Sequence, residues 1–227
     1  MSPALRRLLL FLLPLALSAK TEITSPVLTS PGLQAFQTGL KHHNSGDLKT
    51  AARHYHTALA LDPELVSAAI NLAIVYEKWR DDALAEKFYN EAVRVAPRSF
   101  HARYNRGQFL QKLGRLAPAR EDYLVALELS PLEASLYINL AAIEIKLFEQ
   151  DRDVNLLKEA EKKLNTAARL KSKSPALYFN RARLFELSNA PARARKFYEE
   201  AMRHYEPQSA EYRTCLLRAE RLSRQLR

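Results

Sequence analysis

Between Val66 and Glu133 a single 34-residue pattern is written twice in succession. In the first copy Ala73, Tyr76, Ala85, Tyr89, Ala92 and Pro97 stand at relative positions 8, 11, 20, 24, 27 and 32. In the second, Gly107, Leu110, Ala119, Tyr123, Ala126 and Pro131 stand at the same places. A unit of that length buries too little by itself, so self-similarity at this period points to a helical solenoid whose neighbours cover one another. Small residues at position 8 of a first helix, and at 20 and 27 of a second, let two axes cross closely. A tyrosine at position 24 fills the space beside them. The prolines follow the second helix and start the next. Asp62-Pro63, Ser130-Pro131 and Ser174-Pro175 each read as an N-cap oxygen followed by a residue that tolerates the first helical turn.

This spacing resembles the tetratricopeptide repeat, a helix–turn–helix unit whose copies stack into a right-handed superhelix. The resemblance implies an all-α, right-handed α-solenoid of five such repeats with a C-terminal capping helix. The units are 32–65, 66–99, 100–133, 134–174 and 175–208, and the cap is 209–227. Gly39, Ala51, Tyr55, Ala58 and Pro63 hold the phase in the first unit; Ala182, Phe185, Ala194, Tyr198 and Ala201 hold it in the fifth. In the fourth, Ala141 is in phase but Ala160, Leu164 and Ala167 arrive seven residues late. That places an insertion around 148–154, as a longer loop or a helical extension. From Ser209 a stripe of Tyr212, Leu216, Ala219, Leu222 and Leu226 marks the cap that the last repeat needs over its apolar face.

Residues 1–19 stand outside the repeat. Arg6 and Arg7 precede an apolar run from Leu8 to Leu17, broken by Pro14, and Ala16-Leu17-Ser18 offers a small-x-small cleavage site. This is the layout of a secretory signal peptide. The alternatives are a retained membrane anchor and a mitochondrial presequence, the latter because no acid precedes Glu22. A presequence would spread its arginines around a helix, whereas these sit at one end. The expected location is therefore the secretory pathway, in the ER lumen or secreted, with membrane contact only if the segment is retained. Residues 20–31, rich in Thr, Ser and Pro, are expected to form a disordered spacer. Cys215 is the lone cysteine, which excludes an intramolecular disulfide, and it is expected to be buried. The five glycines all fall at packing or turn positions, so none is free for a phosphate-cradling loop.

In this family the first helices line a concave groove, and position 6 points into it. Here position 6 reads Gln37, Asn71, Asn105, Asn139 and Asn180, a carboxamide in every copy. Each can hold one amide unit of an extended peptide through both its C=O and its N–H, whatever the side chains, or can bridge neighbouring helices instead. Position 13 reads Asn44, Lys78, Lys112, Lys146 and Leu187. Those lysines either end their helices in solvent or meet acidic groups of a ligand. Position 5 reads Phe36, Ile70, Tyr104, Ile138 and Phe179, an apolar strip better explained by packing between repeats. The two-carboxylate clamp of the family's co-chaperones is absent, since Phe36 and Leu40, or Ile70 and Ile74, stand where it needs Lys and Asn.

His42, His43, His54 and His56 cluster in the first unit, but His54 and His56 are two apart on a helix and cannot converge on one ion. No metal is expected. No Ser/His/Asp, Cys/His or paired-carboxylate arrangement can be assembled, so neither catalytic residues nor a cofactor are expected. The net charge of +10 is concentrated beyond Lys158, where 17 Lys or Arg face 8 Asp or Glu. Arg213, Arg218, Arg221, Arg224 and Arg227 stud the capping helix. Such a surface fits an acidic protein, an anionic membrane or RNA, or serves only to keep the cap soluble. No RNA-reading motif accompanies it, and nucleic acid is not an expected partner. The expected function is a non-catalytic interaction module or adaptor that binds an extended peptide, acidic if the lysines take part. The alternative is an accessory, substrate-recognising subunit of a lumenal modifying enzyme such as a glycosyltransferase.

Overall fold

The computed structural model describes residues 30–226. The segment read as a signal peptide lies outside them, as do residues 20–29 of the expected spacer. Among the described residues the chain is eleven α-helices without a strand. Ten of these form five helix–turn–helix pairs. The first helices are α1 (Pro31–Asn44), α3 (Val66–Lys78), α5 (Phe100–Lys112), α7 (Ala134–Asp151) and α9 (Pro175–Leu187). Their partners are α2 (Leu48–Leu61), α4 (Asp82–Val95), α6 (Leu116–Leu129), α8 (Val154–Arg169) and α10 (Pro191–Met202). A single helix, α11 (Ala210–Gln225), closes the run.

Each pair shuts on the residues that the repeat singles out. Tyr55, Tyr89, Tyr123 and Tyr198 are buried, each between two buried alanines of its own helix, and Leu164 stands in for the tyrosine in α8. At Gly39 and Gly107 the ring lies so near the backbone that an added Cβ would meet it at 2.7 Å and 2.9 Å. Glycine there lets an aromatic ring pack straight onto a helix axis.

Within a pair the turn is made by one residue with positive φ at position 15: Gly46, Arg80, Gly114 and Asn189. Arg152 does the same after the longer α7. The amide of Arg80 bonds the Glu77 carbonyl at 3.1 Å, and the next amide, of Asp81, bonds Tyr76 at 3.0 Å. This is the Schellman closure, which satisfies carbonyls that the helix end leaves orphaned.

Between pairs the prolines act differently from the expectation. Asp62 and Ser130 do not cap the following helices; they end α2 and α6. The residue before each proline is driven away from helical geometry. Accordingly Asp62, Ala96 and Ser130 have φ of −144°, −129° and −143°. The next helices start three residues past the proline, at Val66, Phe100 and Ala134. At Ser174-Pro175 the proline does open α9 with Ser174 at the N-cap position, but the Ser174 side chain accepts no first-turn amide. Caps come instead from Asp47, Asp81, Ser99, Glu133, Asp153 and Ser209, whose side chains accept first-turn amides.

The insertion is a helical extension: α7 has 18 residues where α3 and α5 have 13. Its Glu149 pairs with Arg183 of α9. The cap packs through Cys215, Ala219 and Leu222 onto Ala194, Tyr198 and Ala201. The expected stripe holds only in part, for Leu216 and Leu226 are exposed and Cys215 is inside. Burial pushes the Cys215 thiol up to about 11, which keeps it protonated and inert.

Candidate peptide-binding groove

Side chains of α3, α5 and α7 line three adjoining hollows of about 360, 350 and 320 Å³. Ile74 and Asn105 are shared by the first two, and Gln108 and Lys112 by the second and third, so the hollows form one continuous track. Six of the eight residues singled out as peptide-binding lie on it. Asn71 and Asn105 line the first, Lys78, Asn105 and Lys112 the second, and Lys112, Asn139 and Lys146 the third. Gln37 is exposed on α1, and Asn180 is buried on α9. The insertion separates Asn180 from Asn139, so the even spacing of the carboxamides stops at the fourth unit.

The three central asparagines are half-buried. Asn71 donates to the Ser67 carbonyl and Asn105 to the His101 carbonyl, both at 2.8 Å. One N–H thus anchors each amide to its own helix. The second N–H and the carbonyl oxygen remain for another partner.

Position 12, to which no motif drew notice, organises this face. His43, Glu77, Gln111 and Glu186 each meet the tyrosine hydroxyl of their own unit. Tyr89 donates to Glu77 at 2.8 Å, Tyr123 to Gln111 at 2.8 Å and Tyr198 to Glu186 at 2.7 Å, while His43 Nδ1 lies 3.2 Å from the Tyr55 hydroxyl. Burial raises the pKa of all four hydroxyls, Tyr55 to about 12, so they remain protonated at neutral pH and Tyr89, Tyr123 and Tyr198 stay donors. In the fourth unit position 12 is Ile145 and position 24 is Leu164, both apolar. The signal was present in the sequence as an interval of twelve between a tyrosine and a polar residue.

The same position 12 then meets position 13 of the next unit. Lys78 Nζ lies 3.2 Å from His43 Nε2, Lys112 pairs with Glu77, and in the cap Arg221 pairs with Glu186. Burial, and the Lys78 charge after it, lowers the His43 pKa, so the imidazole is neutral and accepts from Lys78 at pH 7. Lys146 shares its hollow with Gln111, whose carboxamide is neutral.

Other expectations resolve into packing. Phe36, Tyr104 and Phe179 of position 5 lie against the tyrosines of their own units at 5.7 to 6.0 Å between ring centroids, while Ile70 and Ile138 are buried. His42 stacks on His54 at 5.5 Å, and His56 Nε2 lies 3.0 Å from the Tyr76 hydroxyl. Among the described residues no three His, Cys, Asp or Glu gather as metal ligands. Two of the cap's arginines, Arg218 and Arg221, pair with Glu186, the first half-buried and the second still exposed. Arg213 and Arg224 are exposed as well.

The tetratricopeptide repeat profile matches residues 38–97 and 83–134. Human Protein O-mannosyl-transferase TMTC3 is 29% identical over 160 residues, which are 63% of this chain and 17% of that protein. Human Tetratricopeptide repeat protein 7B is 36% identical over 84 residues, 37% of this chain and 10% of that one. The chain thus spans less than a fifth of the length of these relatives. Among solved structures, Pseudomonas aeruginosa pilF superposes with a TM-score of 0.70 at 23% identity, over 86% of this chain and 84% of its own. YrrB, described as a TPR protein with an unusual peptide-binding site, superposes at 0.62 with 16% identity, over 81% and 90%. These likenesses are of fold.

Proposed function

We propose that the chain, whose residues 38–134 match the tetratricopeptide repeat profile, is a non-catalytic interaction module whose grooved face holds an extended peptide by its backbone. The observation that carries this reading is the continuous track with Asn71, Asn105 and Asn139 at one-repeat intervals along it. Two of those amides are pre-set by bonds to their own helices, so little side-chain entropy is left to lose on binding. The peptide-binding site named for YrrB, on a solenoid of the same fold, supports the same use of this one. Replacing the three asparagines with alanine should weaken a neutral and an acidic ligand, both recovered by pull-down, by a similar factor. About tenfold is the scale for several lost neutral hydrogen bonds, with helical content unchanged. Unaltered affinity for both would assign the carboxamides to the scaffold alone.

A second reading has one observation in its favour, the similarity over 160 residues to a protein named as an O-mannosyl-transferase. On it, the chain presents substrates to a lumenal glycosyltransferase. Transferase activity that appears only with a co-purified partner separates this from plain adaptor function. Both readings agree with entry to the secretory pathway through residues 1–19, where Arg6 and Arg7 precede the apolar run. N-terminal sequencing of the chain from its native cells should find a start near Ala19. A soluble chain that keeps Met1 or Ser2 would refute it.

A further inference from the structure

We propose that the third hollow of the track selects a carboxylate side chain of the bound peptide, and that Lys146 is the residue that selects it. This rests on the groove reading above and names where along the peptide an acid is read. Lys78, Lys112 and Lys146 look equivalent in the sequence, one per repeat at position 13. The structure makes them unequal. Lys78 reaches His43 and Lys112 is neutralised by Glu77, each across a 35-residue interval to position 12 of the preceding unit. The same interval from Lys146 leads to Gln111, which has no charge to offer. Among the described residues Lys146 has no carboxylate within 4.0 Å, and it is half-buried.

A partly desolvated cation without a counter-ion gains more from an arriving carboxylate than one already paired. The surroundings suit that ligand. Gln108, Gln111 and Asn139 bring amide groups to the same hollow, where they can donate to the lone pairs a carboxylate keeps after meeting one ammonium. No Asp or Glu lines this hollow, whereas in the one before it Glu77 already holds Lys112 and competes with an arriving carboxylate for the cations there. The acid is therefore read at one place, which also sets the register of a peptide otherwise held by its backbone.

The test uses the full chain and two capped dodecapeptides of Gly, Ser and Thr, one with a Glu-Glu pair at its centre and one with Gln-Gln. Binding is followed by NMR of lysine methyl groups after reductive methylation with a carbon-13 label, which leaves each lysine charged. The Glu peptide should bind about three- to fivefold more tightly than the Gln peptide, the scale of one partly exposed charge pair. Lys146→Gln should abolish that preference, and Lys78→Gln should keep it. Gln111→Glu is the decisive variant, because it retains the acceptor for the Tyr123 hydroxyl while giving Lys146 an internal partner. It should abolish the preference with the thermal melt unchanged. If both peptides bind and Gln111→Glu and Lys146→Gln still prefer the Glu peptide, this inference falls and the groove reading stands. If neither peptide shifts any groove lysine, both fall.

Discussion

Positions 11 and 23 face each other across several of the helix pairs, and the units fill that place with different chemistry. His42 and His54 stack in the first, Tyr76 and Phe88 stack at 5.6 Å in the second, and Phe185 and Phe197 stack at 5.4 Å in the fifth. In the third, Asp122 is fully buried and bound by Arg103 and Arg106 at 2.7 to 2.8 Å, so its charge is answered twice. The fourth is less well matched. Glu144 is buried, and although Lys163 Nζ lies 2.6 Å from Oε1, neither oxygen receives a well-directed hydrogen bond. Burial outweighs the attraction of Lys163 and raises the Glu144 pKa above its usual 4.5. A carboxyl raised in the fold costs stability wherever it is ionised there, in full above its folded pKa, and the cost disappears as pH falls to about 4.5. Wild type should therefore gain on Glu144→Gln as pH drops from 7 to 5. Urea midpoints of both proteins across that range check it; a constant difference would mean that Glu144 does not titrate in the window.

At the scale of the helix, four turns place a residue in left-handed conformation at the same position, and only one of the four bears a long side chain. Gly46 and Gly114 adopt it freely and Asn189 tolerates it, but Arg80 holds φ of 59°. Its side chain is exposed and its amide already makes the closing bond to Glu77, which any residue can make. Arg80→Gly should thus stabilise the chain by about 1 kcal/mol, measured by chemical denaturation, since the strain of a Cβ in this region is removed. A loss of stability would show that the turn is not held by this closure. The prolines teach a related lesson. Their effect falls on the residue before them, so Pro63, Pro97 and Pro131 end one helix rather than begin the next.

For the whole molecule the ends matter most, because each pair covers only its neighbours. The cap covers the last pair with Cys215, Ala219 and Leu222 and answers Glu186 with Arg218 and Arg221. Removing residues 209–227 should leave Tyr198 and its alanines uncovered, lower the melting temperature by several degrees and drive self-association on gel filtration. A truncated chain that stays monomeric and melts with the full one would show that α10 needs no cover. The order of helices, their pairing, the small residues and tyrosines of the core and the place of the insertion were all legible in the sequence. Each is written locally and repeated in phase, so a single reading of one unit serves for the rest. Of the carboxamide row, Asn71, Asn105 and Asn139 stand along the track as the repeat places them, whereas Gln37 and Asn180 do not line it. What only the tertiary structure decided is which charges are free. Lys112 and Lys146 occupy identical places in the repeat, yet one is neutralised and the other is not, because the residue that answers them stands 35 positions back on a neighbouring helix. Neutralisation is a property of a pair brought together by stacking, and a repeat pattern records each member without recording the meeting.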